Sequence, residues 1–183
     1  MRQYPIAVVV GSLRRDSFNR QLASAVSMLA PPEFSFTQLR IDDLPLYNQD
    51  DDDHPADPVK RLKSEVTAAC GLLFVTPEYN RSIPGVLKNA IDHASRPYGK
   101  SVWAGKPAGV LGASVGVIGT AIAQQHLRTI LACLDVPTLG LPEAFIHVRE
   151  DLFDASGNIG AEQRTFLQQW MNNYAAWVKK HAA

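Results

Sequence analysis

The sequence predicts an α/β fold: a doubly wound, five-stranded parallel sheet with helices on both faces. Three observations predict it. Short runs such as Ile6-Ala7-Val8-Val9-Val10 and Leu72-Leu73-Phe74-Val75 are continuously apolar, as strands buried on both faces of a parallel sheet must be. Between such runs lie longer segments with apolar residues at helical spacing. The two kinds alternate along the chain, and adjacent parallel strands need such crossovers, whose hand is nearly fixed.

Residues 6–10 form the first strand, bounded by Gly11. A helix over 17–29 carries Phe18, Leu22, Ala25, Val26 and Leu29 on one face, and Pro31 and Pro32 end it. Residues 34–41 alternate imperfectly and make the second strand. The loop 44–58 holds an acidic run, Asp50 to Asp53, which reads as a solvated loop rather than a metal site. Asp57 as N-cap and Pro58 in the first turn open a helix through 69. The third strand is 71–76. Pro84 opens a helix through about 94, the fourth strand is 107–113, and a strong helix covers 120–134. A fifth strand region spans 136–141 and 145–148, split around Pro142. A terminal helix, 162–180, sets Phe166, Leu167, Trp170, Tyr174, Trp177 and Val178 on one broad face. The expected strand order is 2-1-3-4-5. The connection then reverses between strands 1 and 3, and ligands bind outside the carboxyl ends of the strands there.

The length, 183 residues, suits one domain over 1–183, and the apolar fraction of 46% suits a globular core. Lysine plus arginine equals aspartate plus glutamate, 18 each, so the chain lacks the basic excess of a nucleic-acid binder. Neutrality also argues weakly against a strongly acidic electron carrier. Cys70 and Cys133 are expected to be buried, reduced thiols, and no zinc spacing exists. Residues 1–5 lack the apolar core of a signal peptide, and no apolar run is long enough to span a bilayer. A cytoplasmic setting with no membrane partner is therefore expected. Asp92 and His93 are adjacent on a helix, so their side chains diverge. His126 and His147 lie in no motif and read as structural.

The informative loops leave strands 1, 3 and 4, all at one edge of the sheet. The first, 11–19, joins a strand to a helix N-terminus, where free N–H groups and the helix dipole favour an anion. Ser12, Ser17 and Asn19 add neutral donors and Arg14 a charged one. Taken alone, the loop fits equally well a capped helix start with incidental arginines. It is neither a Walker loop nor a Gly-x-Gly-x-x-Gly fingerprint, so a single phosphate fits better than a di- or triphosphate. The second, 76–85, offers Tyr79 as an aromatic face and the amides of 78–81 as a polar edge, the wall a flat heteroaromatic ring needs. The third, 112–120, has glycines that permit close backbone approach to a ligand. Each of these two also fits an ordinary turn before a helix. Together, the three favour a bound mononucleotide.

At these loops the chain resembles the NADPH-dependent FMN reductase family, flavodoxin-like proteins that include bacterial quinone, chromate and azo-dye reductases. Gly11-Ser12-Leu13-Arg14 with Ser17-Phe18-Asn19 resembles its phosphate loop. Thr76-Pro77-Glu78-Tyr79-Asn80, followed by Ser82-Ile83-Pro84-Gly85-Val86-Leu87-Lys88-Asn89-Ala90-Ile91-Asp92, resembles its second signature, and 106–120 its third loop. The resemblance implies that Ser12, Arg14, Ser17, Phe18 and Asn19 hold the FMN phosphate. It implies that Pro77, Glu78, Tyr79, Asn80 and Arg81 hold the isoalloxazine, and that Ser114 and Gly116 complete the ring pocket. It also implies homodimers or homotetramers with FMN near the subunit interface. Asp16 stands where many relatives have a small residue and is expected to turn outward and cap the helix. Arg81 and His93 stand where relatives often carry aromatic residues. Arg81 is read as gripping a phosphate of the incoming donor or lying over the flavin, with a surface ion pair as the alternative.

The implied activity is an FMN-dependent oxidoreductase. It takes hydride from NADH or NADPH and passes two electrons to a small-molecule acceptor, a flavin or a quinone, in a ping-pong cycle. The flavin carries the chemistry, so no catalytic triad is needed. The alternative is a flavodoxin-type electron carrier or a regulatory flavoprotein without turnover. Self-association is expected from Ile83, Val86, Leu87, Tyr98 and Trp103, read as more apolar surface than a monomer exposes.

Overall fold

The structure, a computed structural model, describes residues 2–182. Five parallel strands, β1 (Tyr4–Val10), β2 (Phe34–Gln38), β3 (Gly71–Val75), β4 (Ala108–Ser114) and β5 (Ala144–His147), form one sheet in the order β2-β1-β3-β4-β5. The helices are α1 (Phe18–Ser27), α2 (Asp57–Ala68), α3 (Gly85–Ser95), α4 (Ala121–Cys133) and α5 (Ala161–His181). The expected fold class and strand order are those observed.

The apolar runs alternate between two cores. Val8, Val10, Leu73 and Val75 face the layer of α1 and α5, while Ala7, Val9, Leu72 and Phe74 face that of α2, α3 and α4. On the first face Trp170 and Tyr174 stack with ring centroids 5.5 Å apart. They fit because β4 offers Gly109, where a Cβ would stand 2.6 Å from the Tyr174 ring. The buried Tyr174 hydroxyl donates to the Leu72 carbonyl at 2.9 Å, and burial pushes its pKa well above the usual range.

Several expectations are corrected. Residues 136–141 are not a strand: Pro137 has no N–H to give, and the segment meets β4 only through Ala108 and one bridge at Thr138. Helix α2 has Ala56 at its N-cap with no side-chain bond, so Asp57 is the first helical residue and instead pairs with Lys60 at 3.0 Å. Phe166 turns outward from α5. Both cysteines are free, but Cys133 is exposed and Cys70 half-buried. Leu87 and Trp103 are core residues: Leu87 packs over Gly11, and Trp103 leans on Phe74 and donates its indole N–H to the Ile91 carbonyl at 3.0 Å.

Register sets the level at which the loops depart. Val10 lies opposite Val75, and Val75 opposite Leu111. The Gly11 N–H donates to the Val75 carbonyl at 2.9 Å and the Thr76 N–H to the Leu111 carbonyl at 3.1 Å. The loops after β1, β3 and β4 therefore leave the sheet side by side, at the strand-order reversal.

Candidate functional site

In the loop after β1, Ser17 is the N-cap of α1, its Oγ accepting from the Arg20 N–H at 3.3 Å. Asp16 is exposed, as expected, but does not cap. Ser12 is buried beside the helix start. Among the described residues, the N–H groups of 12–16 donate to no protein acceptor. Such donors at a helix N-terminus form an anion cradle. The Arg14 guanidinium lies 5.3 Å from the centre of the Phe18 ring, a cation–π contact that keeps its charge beside that cradle. Asn19 has a structural tie that the sequence does not announce. Its buried amide bonds Ala113, donating to the carbonyl and accepting from the N–H, both at 2.8 Å. It ties α1 to the end of β4.

After β3, Pro77 is buried and Tyr79 is half exposed. Tyr79 and Ser82 exchange backbone hydrogen bonds of 2.9 and 3.0 Å around Asn80 and Arg81, whose φ angles are 51° and 64°. Two successive positive φ values make a type I′ turn, which asparagine tolerates and arginine rarely enters. The Glu78 carboxylate turns away from the turn's tip and accepts from the Ile122 and Ala123 N–H groups at the start of α4, at 3.1 and 3.0 Å. Arg81 is exposed, and its Nη1 stands 3.5 Å from Glu78 Oε1, an ion pair with a nearly buried carboxylate. His126, read as structural, hydrogen-bonds Ser82 Oγ at 3.0 Å.

After β4, Ser114 Oγ accepts from the Gly116 N–H at 3.1 Å, and Gly119 N–H donates to Gly116 O at 2.9 Å. Gly119 has φ 59°, and a Cβ there would stand 2.8 Å from the Phe145 backbone. A Cβ on Gly112 would collide with the Thr76 carbonyl oxygen and Thr120 Oγ1, so the second and third loops are packed directly on each other. Leu13, Tyr79, Val115, Val117 and Ile118, from the three loops, are large exposed apolar groups. The sequence reading missed the Glu78, Asn19 and His126 ties, because contacts between distant residues leave no periodic signal.

A cradle of unpaired N–H donors with one arginine, beside loops bearing aromatic and aliphatic groups, suits a phosphate ester that carries a flat ring. The sequence profile of NADPH-dependent FMN reductase matches residues 4–151. The chain belongs to the NADPH-dependent FMN reductase family. It is 57% identical over 175 residues to the 2-hydroxy-1,4-benzoquinone reductase of a Burkholderia species, covering 95% of this chain and 96% of that one. It is 48% identical over 181 residues to a quinone reductase of Pseudomonas putida, covering 98% and 97%. Among solved structures it resembles FerB, a flavoenzyme NAD(P)H:(acceptor) oxidoreductase of Paracoccus denitrificans, with TM-score 0.94 and 42% identity over 98% of this chain and 100% of that one. A Pseudomonas aeruginosa flavodoxin, at TM-score 0.58 and 19% identity over 96% of this chain and 99% of that one, shares the fold alone. This FMN reductase family member is an FMN-dependent oxidoreductase that uses NAD(P)H. Among the described residues, no helix is long and apolar enough to cross a membrane.

FMN supplies the hydride and electron chemistry when bound, and the chain binds and orients it. Arg14 should contribute a charge-assisted hydrogen bond to the phosphate, worth about 1.5–3 kcal/mol. Arg14→Ala is therefore expected to raise the FMN dissociation constant about ten- to hundredfold with the fold intact. Flavin-fluorescence titration with circular dichroism checks this. Unchanged affinity would leave the phosphate to Ser12, Ser17 and the backbone.

Proposed function

We propose that this FMN reductase family member reduces small quinones, 1,4-benzoquinones foremost, with NADH or NADPH as donor. The cycle is ping-pong: the donor leaves before the quinone enters over the same flavin face. The observation that carries this reading is the apolar rim of Leu13, Tyr79, Val115, Val117 and Ile118 beside the ring loops. A flat ring packs on such a rim. The identity to a hydroxybenzoquinone reductase along almost the whole chain supports it.

Ser12, Arg14, Ser17 and Phe18 hold the phosphate end, with Asn19 fixing their helix to β4. Pro77, Glu78, Tyr79, Asn80 and Arg81 border the ring, chiefly through backbone amides, and Ser114 and Gly116 close the pocket. Donors aimed where negative charge accumulates on the ring favour its reduction. The protein acts as one domain over 1–183, in the cytoplasm, where its two free thiols stay reduced. It assembles as a homodimer or homotetramer. With Leu87 and Trp103 in the core, the surface available for that is Tyr98, 91% exposed, together with the partly buried Ile83 and Val86.

Steady-state oxidation of NADPH and NADH against 1,4-benzoquinone and its 2-hydroxy derivative tests this reading. Parallel double-reciprocal lines and quinone-dependent turnover are expected. An electron carrier would show no turnover, and turnover with flavin alone would exclude quinones. Light scattering at micromolar concentration should give a multiple of the 20.1 kDa chain mass. A monomer would remove the assembly from the proposal.

A further inference from the structure

The family places FMN against the loops after β3 and β4, and something must hold those loops in register. The first four N–H groups of a helix need external acceptors. At α4 the N-cap Thr120 supplies no side-chain bond. Glu78 supplies it from outside, 44 and 45 residues earlier in the chain, one oxygen serving both Ile122 and Ala123. Its other oxygen faces Arg81 Nη1. The side chain is only 8% exposed, while Arg81's is 68% exposed. A carboxylate at a helix N-terminus also meets the positive end of the helix dipole.

We propose that Glu78 is a positioning residue, a latch whose side chain fixes the turn between Tyr79 and Ser82 on the amino end of α4 and so sets the spacing of the two ring walls. Its carboxylate is turned inward and engaged within the protein, so ring contacts fall to its backbone. The turn needs holding because Arg81 sits in the left-handed region, which a non-glycine residue keeps only when its surroundings impose it. Ser82 and His126 add a second tie between the same two elements. The latch rests on the FMN cofactor alone and is independent of which acceptor is reduced.

The test compares Glu78→Ala with Glu78→Gln. Glutamine keeps a carbonyl oxygen that accepts the two α4 N–H groups, and alanine keeps nothing. Glu78→Ala is expected to weaken FMN binding about ten- to thirtyfold and to speed hydrogen exchange of the Ile122 and Ala123 amides in the FMN-free protein about tenfold or more. Glu78→Gln is expected to restore both to within about threefold of wild type. A general loss of stability, by contrast, leaves FMN affinity unchanged well below the melting temperature. Wild-type affinity in Glu78→Ala overturns the latch. So does Glu78→Gln binding as weakly as alanine, because the two hydrogen bonds to α4 that glutamine keeps would then not hold the turn. If Glu78→Ala folds poorly, exchange in the wild type decides. FMN should slow the Ile122 and Ala123 amides in step with those of Tyr79 and Ser82, since coupling between two elements is reciprocal. FMN that protects the turn but leaves the α4 amides unchanged overturns the proposal.

Discussion

Asn19→Ala is expected to cost about 2–4 kcal/mol of stability and to weaken FMN binding as well. The side chain is buried, and both of its polar atoms are matched to the Ala113 backbone at 2.8 Å. Alanine leaves an N–H and a carbonyl at the end of β4 buried without partners, each costing about 1–3 kcal/mol. The loss also frees α1 to move relative to the sheet, and α1 carries the phosphate cradle at its amino end. Thermal denaturation of the FMN-free protein should show a fall on the order of 10 °C. A melting temperature within a degree or two of wild type would mean that water replaces the amide and that the tie is dispensable.

Gly112→Ala is expected to disturb both ring walls at once. The added methyl would meet the Thr76 carbonyl oxygen and Thr120 Oγ1, at the ends of the second and third loops. Neither neighbour yields easily: the Thr76 N–H is bonded to the Leu111 carbonyl at 3.1 Å, and Thr120 is fully buried. Overpacking of this kind costs about 1–3 kcal/mol, occasionally more. FMN affinity should fall more than about tenfold, because the walls are displaced as well as strained. Gly116→Ala is the control. Its Cβ would meet only Ser114 Oγ at 3.5 Å, an ordinary contact, and stability should stay within about 0.5 kcal/mol of wild type. Equal loss in the two variants would show that the loop, rather than its packing on Thr76, is sensitive.

The strands and their order were legible because burial on both faces leaves continuous apolar runs in β1 and β3, a signal that local reading detects. The loops were legible from punctuation, since glycine, proline and serine mark where each strand hands over to a helix. What was not legible depends on partners distant in sequence. Asn19 reads as a donor for a ligand until Ala113, 94 residues later, is seen to use it. Glu78 reads as part of the ring wall until α4 is seen to need a cap. Leu87 and Trp103 read as apolar surface because nothing local marks which of the apolar residues there turn inward, yet Leu87 packs over Gly11 and Trp103 against Phe74. The cap of α1 falls to Ser17 rather than Asp16, a one-residue shift decided by the path of the loop.

Anaerobic titration of the FMN-loaded protein tests the central claim most directly. One equivalent of NADPH or NADH should bleach the visible flavin band. One equivalent of 1,4-benzoquinone added after removal of the spent donor should restore it, while riboflavin, lacking the phosphate, should bind far more weakly and give no comparable loaded form. A band that neither donor bleaches, or that the quinone fails to restore, would contradict the account.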